Sequence, residues 1–137
     1  MNARARALIG LAVLVAFAAI GRGGADAQDI FTGHYPQQSG EAIYKGVCQG
    51  CHMPDAMGAV GAGAYPALAK DPRLQSGAYA AMIVIKGQKA MPPFGDSFTD
   101  GQIANVVNYL RSNFGNGYAD QVTPDQVKTL RPAPPVQ

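Results

Sequence analysis

Residues 48–52 read Cys48-Gln49-Gly50-Cys51-His52, and no other stretch restricts the chain as much. Two thiols three residues apart, with an imidazole beside the second, have the spacing at which one haem takes thioether bonds at its two vinyl groups and a nitrogen ligand at its iron. Three other uses of the cysteines compete. An exported protein could close them as a simple disulfide or use them as a thioredoxin-like redox pair. The latter requires a strand opening a helix within a βαβ pattern, whereas the stretch before Cys48 has a helical period. Zinc would have Cys48, Cys51 and His52 as ligands, and the only other His or Cys is His34.

Haem attachment in bacteria takes place outside the cytoplasm, so the chain needs an export address, and its N-terminus reads as one. Arg4 and Arg6 form a basic start, Leu8 to Ile20 is apolar and uncharged, and Ala25-Asp26-Ala27 is an A-x-A cleavage site. The apolar stretch is shorter than the roughly 20 residues of a spanning helix, which argues against an uncleaved anchor. The expected organisation is a signal peptide over 1–27, an N-terminal arm over 28–38, a folded domain over 39–115, and an extension over 116–137 with a short helix and a Pro-rich tail. The expected location is the periplasm, with no stable membrane insertion after cleavage.

Cleavage changes the electrostatics. The full chain carries 11 basic and 9 acidic residues. Residues 1–27 hold Arg4, Arg6 and Arg22 but only Asp26, so eight of each sign remain. A formally neutral chain offers no basic surface for nucleic acid or anionic lipid. Residues 28–137 amount to one small domain, for which burial alone is marginal. A tied, largely apolar haem would add buried surface to a chain with 17 glycines, 10 prolines and no tryptophan.

Periodicity and turn chemistry outline the helices. Ser39 reads as an N-cap and Glu41 suits the first turn of a helix whose apolar face is Ile43, Tyr44, Val47, Cys48 and Cys51, which places both thiols on the buried side. Met53 to Ala64 is Gly- and Ala-rich with Pro54 and reads as a loop without regular structure. Asp71-Pro72 starts a helical turn. A second helix is expected from about Gly77 to Lys86, stopped by Gly87; the run from Met82 to Ile85 could form a strand, but no partner strand is evident. The third helix is the best signed: Thr99 and Gln102 make a capping box, Phe98 and Ile103 a hydrophobic staple, and Ile103, Val106, Val107, Leu110 and Phe114 one face, with Gly115 as the stop. Thr123, Pro124 and Gln126 repeat that pattern for a short helix near 124–130.

If His52 takes one side of the iron, the other side needs a ligand from elsewhere. The candidates are Met53, Met57, Met82, Met91 and His34. Met53 adjoins His52 and cannot reach the opposite face, Met57 is close to it in a Gly-rich loop, and Met82 falls on an apolar helix face where core packing explains it. Met91 opens Met91-Pro92-Pro93-Phe94-Gly95, where two prolines stiffen the backbone and lower the entropy of holding a thioether in place. A soft thioether favours ferrous iron and raises the reduction potential. A ligating imidazole also needs an acceptor for its other nitrogen; the carbonyl of Pro66 is the candidate.

Together, Cys48-Gln49-Gly50-Cys51-His52, Tyr65-Pro66-Ala67-Leu68 and Met91-Pro92-Pro93-Phe94-Gly95 resemble the class I cytochromes c over about residues 39–115. In that family an N-terminal helix crosses a C-terminal one through a glycine and an aromatic before the first haem cysteine, here Gly40 and Tyr44, against positions that look like Val106 and Tyr109. The resemblance implies an all-α fold of four to five short helices wrapped around one covalently attached haem c. It implies His52 and Met91 as axial ligands, Pro66 orienting His52, and Leu68 in the haem-binding set. It further implies a one-electron carrier cycling between ferric and ferrous iron. More loosely, the chain looks like small periplasmic cytochromes that accept electrons from flavin or molybdenum dehydrogenases and pass them to a downstream cytochrome or terminal oxidase. Two rivals remain: a haem enzyme or gas sensor with a displaceable Met91, and a fixed cytochrome subunit of a dehydrogenase. No Ser/His/Asp set or phosphate loop points to catalysis by the polypeptide itself. Electrons would leave by the haem edge beside the slight Gly58–Gly63 loop, with Lys86 and Lys89 flanking the Met91 loop.

Overall fold

The computed structural model describes residues 34–61 and 63–133. All of them belong to one unit of the chain, Gly33–Gln137. The expected signal peptide, residues 28–33 of the arm and the last four residues of the tail lie outside the described residues. Helix α1 runs in three consecutive segments, Gly40–Ile43 in α form, Tyr44–Cys48 in π form and Gln49–His52 in α form. A hairpin of β1 (Ala59–Val60) and β2 (Ala64–Tyr65) follows, then a 3₁₀ turn over Pro72–Gln75, α2 (Gly77–Lys86), α3 (Asp100–Ser112) and α4 (Pro124–Leu130). The all-α expectation holds, but the expectation of a loop without regular structure over Met53 to Ala64 is corrected, since Ala59–Val60 and Ala64–Tyr65 pair as a small antiparallel hairpin.

Each helix starts where its side chains can satisfy free backbone N–H groups. Ser39, Asp71 and Ser76 cap α1, the 3₁₀ turn and α2. Thr99 with Gln102 and Thr123 with Gln126 form reciprocal capping boxes on α3 and α4, each cap contributing about 1 kcal/mol. Gly87 stops α2 at φ 68°. Helix α3 ends at Ser112, short of the expected stop at Gly115. Phe114 takes φ 56° and leaves the helix, yet still reaches the core through its ring, 4.9 Å from that of Tyr44. An apolar residue placed by a left-handed turn keeps the spacing of a helical face without being on one.

The core lies where α3 meets α1, α2 and α4. Ile43, Tyr44, Ile103, Val106, Val107 and Val127 are essentially inaccessible. Burying such side chains contributes about 1.5–3 kcal/mol each before entropy is counted. Where α1 crosses α3, a Cβ on Gly40 would overlap the Asn105 carbonyl and approach Tyr109 Cβ to 2.7 Å. That contact sets the distance between the two helices, and the Tyr44 and Tyr109 rings fill the next level, 5.8 Å apart. The arm is anchored: Gln102 Nε2 donates to the carbonyls of Tyr35 and Gln37, and the Tyr35 ring packs 4.9 Å from Phe98. Residues 116–133 join the same core, with α4 against α2 and α3 and Val122 and Val127 buried.

Candidate functional site

The π segment sets the phase of the Cys-x-x-Cys-His run. Its i to i+5 bond, from Gln49 N–H to Tyr44 O, inserts one residue between the helix-crossing face of Gly40 and Tyr44 and the C-terminal turn of α1. Cys48 is half-buried and packs against the core, while Cys51 is exposed. The expectation that both thiols lie on the buried side is therefore corrected. Three residues at about 100° each turn Cys51 roughly 60° away from Cys48. Both thiols are free. Burial, with a smaller push from Cys51, raises Cys48 to about 11, so it is a protonated thiol at neutral pH.

His52 is buried, with Nδ1 3.0 Å from the carbonyl oxygen of Pro66. A carbonyl only accepts, so the proton sits on Nδ1 and the Nε2 lone pair is left for a metal. The intervening loop makes this contact by a backbone knot. Met53 ends α1 at φ 66°, ψ 157°, an uncommon conformation for a side-chain-bearing residue. The Tyr44 hydroxyl holds it there by donating to its carbonyl at 2.6 Å. Gly58 N–H returns to His52 O at 3.1 Å, and buried Ala56 accepts from both Leu68 and Ala69 at 2.8 and 3.0 Å. The hairpin pairs Ala59 with Tyr65, which delivers Pro66 to the imidazole. Leu68 is half-buried against the core beside this knot.

Met91 sits in a second, separately anchored loop. Gln88 and Met91 exchange two backbone hydrogen bonds of 3.1 and 2.9 Å around a turn with Lys89 at φ 53°. Phe94 and Gly95 N–H groups donate back to Val84 and Ile85 at the end of α2, at 3.0 and 3.1 Å. Gly87 lies beneath this loop: a Cβ there would stand 2.5 Å from Met91 O. Met91 is half-buried. Of the other ligand candidates, Met57 is 62% exposed, His34 is exposed at the arm, and Met53 and Met82 are half-buried on α1's end and on α2.

Several residues that matter here escape a reading of the sequence. Gly58 (φ +69°) allows the loop to pass against Tyr65, Pro66 and Ala67, where a Cβ would lie 2.7 Å from Pro66 C. Buried Asn116 donates to Leu68 O and Leu110 O and accepts from Asp71 N–H. Arg111, wholly buried, donates to the carbonyls of Leu74, Gln75 and Asp120 and to the Asp120 carboxylate. Its only sequence signal was a basic side chain in the last turn of α3, where a helix dipole alone would explain it.

Residues 36–110 match the family described as cytochrome c oxidase, cbb3-type, subunit III. The chain belongs to this cytochrome c family. The class I cytochrome c resemblance drawn from the three motifs is thereby borne out, as is the all-α fold. The chain is 33% identical over 115 residues to a gluconate 2-dehydrogenase cytochrome c subunit of Pantoea cypripedii, covering 73% of this chain and 25% of that protein. It is 36% identical over 107 residues to a fructose dehydrogenase cytochrome subunit of Gluconobacter japonicus, covering 67% and 22%. A nicotinate dehydrogenase subunit of Pseudomonas putida is 32% identical over 91 residues, 59% of this chain and 8% of that one. The chain thus spans a quarter or less of the curated relatives it matches. Haem c, the group this cytochrome family carries, fits the donor set on chemical grounds: two free thiols on one helical turn, then a buried imidazole whose other nitrogen is already engaged. Among the described residues no helix is long and apolar enough to cross a membrane.

Proposed function

We propose that this chain is a periplasmic monohaem c-type cytochrome that carries single electrons between a dehydrogenase and a respiratory acceptor. The observation that carries the reading is the 3.0 Å contact between His52 Nδ1 and Pro66 O, since it fixes the tautomer an iron ligand needs. In this reading Cys48 and Cys51 would hold the haem through two thioether bonds, His52 and Met91 would ligate its iron, Pro66 orients His52, and Leu68 would pack against the haem. Bound haem supplies the reversible ferric/ferrous couple. The chain's residues hold it: the Met53–Gly58 knot fixes the imidazole, and the Gln88–Met91 turn fixes the thioether. Two protein ligands leave no open position for substrate, which suits electron transfer and argues against an enzyme or gas sensor.

A flavin or molybdenum dehydrogenase is the proposed donor, and a downstream cytochrome or terminal oxidase the acceptor. The dehydrogenase-subunit relatives favour a second form of the same reading, in which the chain is a fixed cytochrome subunit; co-purification with a dehydrogenase at constant ratio would select it over a free shuttle. The deciding experiment is the absorption spectrum of the periplasmically matured protein, oxidised and reduced, with Met91→Ala beside it. The expected result is a reduced c-type spectrum with a far-red ferric band that disappears in Met91→Ala, together with a lower reduction potential. A high-spin or CO-reactive unmutated protein would overturn the ligand assignment, and a protein without haem would overturn the function.

A further inference from the structure

The residue that closes the Met91 loop comes from the far end of the chain. Arg131, at the C-cap of α4, turns its guanidinium toward the segment that follows Met91-Pro92-Pro93. Its Nη1 donates to Gly95 O, its Nη2 to Phe98 O at 2.9 Å, and its Nε to the Asp100 carboxylate at 2.5 Å. Gly95 is consequently held from both sides, since its N–H already donates to Ile85 O at 3.1 Å. With Met91 tied to Gln88 at one end, and Phe94 and Gly95 tied to Val84 and Ile85 at the other, Pro92 and Pro93 span two fixed points. The fork also has direction: three donors of one planar group engage two carbonyls and one carboxylate, which lysine could not reproduce. Arg131 reaches this position because Val127 is buried and Thr123 with Gln126 fix the start of α4.

We infer that Arg131 is a positioning residue for Met91, through which the C-terminal helix sets how readily the thioether leaves the iron. This rests on the proposed role of Met91 as ligand. Free-energy differences of the size carried by charge-assisted hydrogen bonds correspond to about tenfold or more in the population of an opened loop. Local opening of this kind need not follow global stability.

The test uses the holoprotein and its Arg131→Gln and Arg131→Lys variants, with imidazole as the competing ligand and hydrogen exchange as a readout independent of ligation. Expected for Arg131→Gln are an affinity for imidazole higher by about tenfold, loss of the far-red ferric band at a lower temperature, and faster exchange of the Phe94 and Gly95 amides while those of Ile103 and Val107 are unchanged. Arg131→Lys, which keeps the charge near Asp100 but not the fork, should behave like Arg131→Gln. Equal imidazole affinity in all three proteins, or a lysine variant matching the unmutated one, would overturn the latch. So would uniform acceleration of every amide, which marks a merely structural residue. If the unmutated protein lacks the far-red band, the ligand reading itself fails, a result distinct from a band that is present and indifferent to Arg131.

Discussion

At the scale of single residues, the imidazole is held by neighbours whose own conformations are unusual. Met53 and Ala56 adopt positive φ, and each is fixed by hydrogen bonds that converge on the turn after His52. Tyr44 is the support for Met53, and its phenol is pushed up to about 12, chiefly by burial and further by the negative charge of Asp55. The folded state therefore keeps this proton where the unfolded chain, with a pKa near 10, has lost it. Because the unfolded state then binds fewer protons, stability from Tyr44 is complete below pH 10 and declines between pH 10 and about 12. Denaturation measured across that window should show a steeper alkaline loss for the unmutated protein than for Tyr44→Phe; parallel curves would refute the assignment. Gly58 gives a second expectation. Gly58→Ala forces a side chain into a left-handed position already crowded by Tyr65 and Pro66 and should cost about 1–3 kcal/mol, whereas Gly61→Ala, with nothing within 4 Å, should stay within about 0.5 kcal/mol. Thermal melts of the two variants would test the contrast.

Elements are joined in this fold by apolar contact and by a few buried polar hubs. Arg111 links the 3₁₀ turn, α3 and the segment before α4 through Leu74, Gln75 and Asp120, and its guanidinium lies 5.6 Å from the Tyr118 ring centre. Asp120, in turn, has its carboxyl held below the usual range by that hydrogen bond. Arg111→Met removes the donor from three carbonyls and should destabilise by about 3 kcal/mol in chemical denaturation. Lys45→Met, which breaks the exposed pair with Glu41, should leave stability essentially unchanged. Equal effects would mean that the buried fork is not what joins these elements. The helices themselves were legible in advance because caps and periodicity are local: Ser39, the Thr99–Gln102 box and the Thr123–Gln126 box all stand where the sequence places them. The π segment of α1 and the early end of α3 were not legible, since both arise from fitting Cys48 and Phe114 to a core formed by other parts of the chain.

For the whole molecule, charge balance carries the clearest expectation. With residues 1–27 removed, as the export reading expects, eight basic and eight acidic residues remain, and there is little net field to steer a partner. The hairpin region beside the Cys-x-x-Cys-His helix adds exposed apolar surface, with Val60 91% and Tyr65 39% accessible. The rate of reduction by small mediators of opposite charge should therefore respond weakly to salt, changing by no more than about threefold between low and physiological ionic strength. Stopped-flow mixing with one anionic and one cationic mediator would measure it, and a steep dependence of opposite sign for the two would reveal a charged docking face.

The sequence by itself determined the local chemistry: the Cys48-Gln49-Gly50-Cys51-His52 run, the stiff Met91 loop, the proline carbonyl offered to His52, and the four helix starts. These are short-range features, written within a few residues of one another. Tertiary structure decided what long-range contact alone can decide. It set the phase of the Cys-x-x-Cys-His run through a π segment, routed the Gly-rich loop into a hairpin through Ala56 and Gly58, and made Asn116, Arg111 and Arg131 the ties between distant segments. A buried arginine or asparagine has the same local signature as an exposed one, so its role emerges only when the carbonyls it meets, 30 to 50 residues away in the chain, have been brought to it by packing.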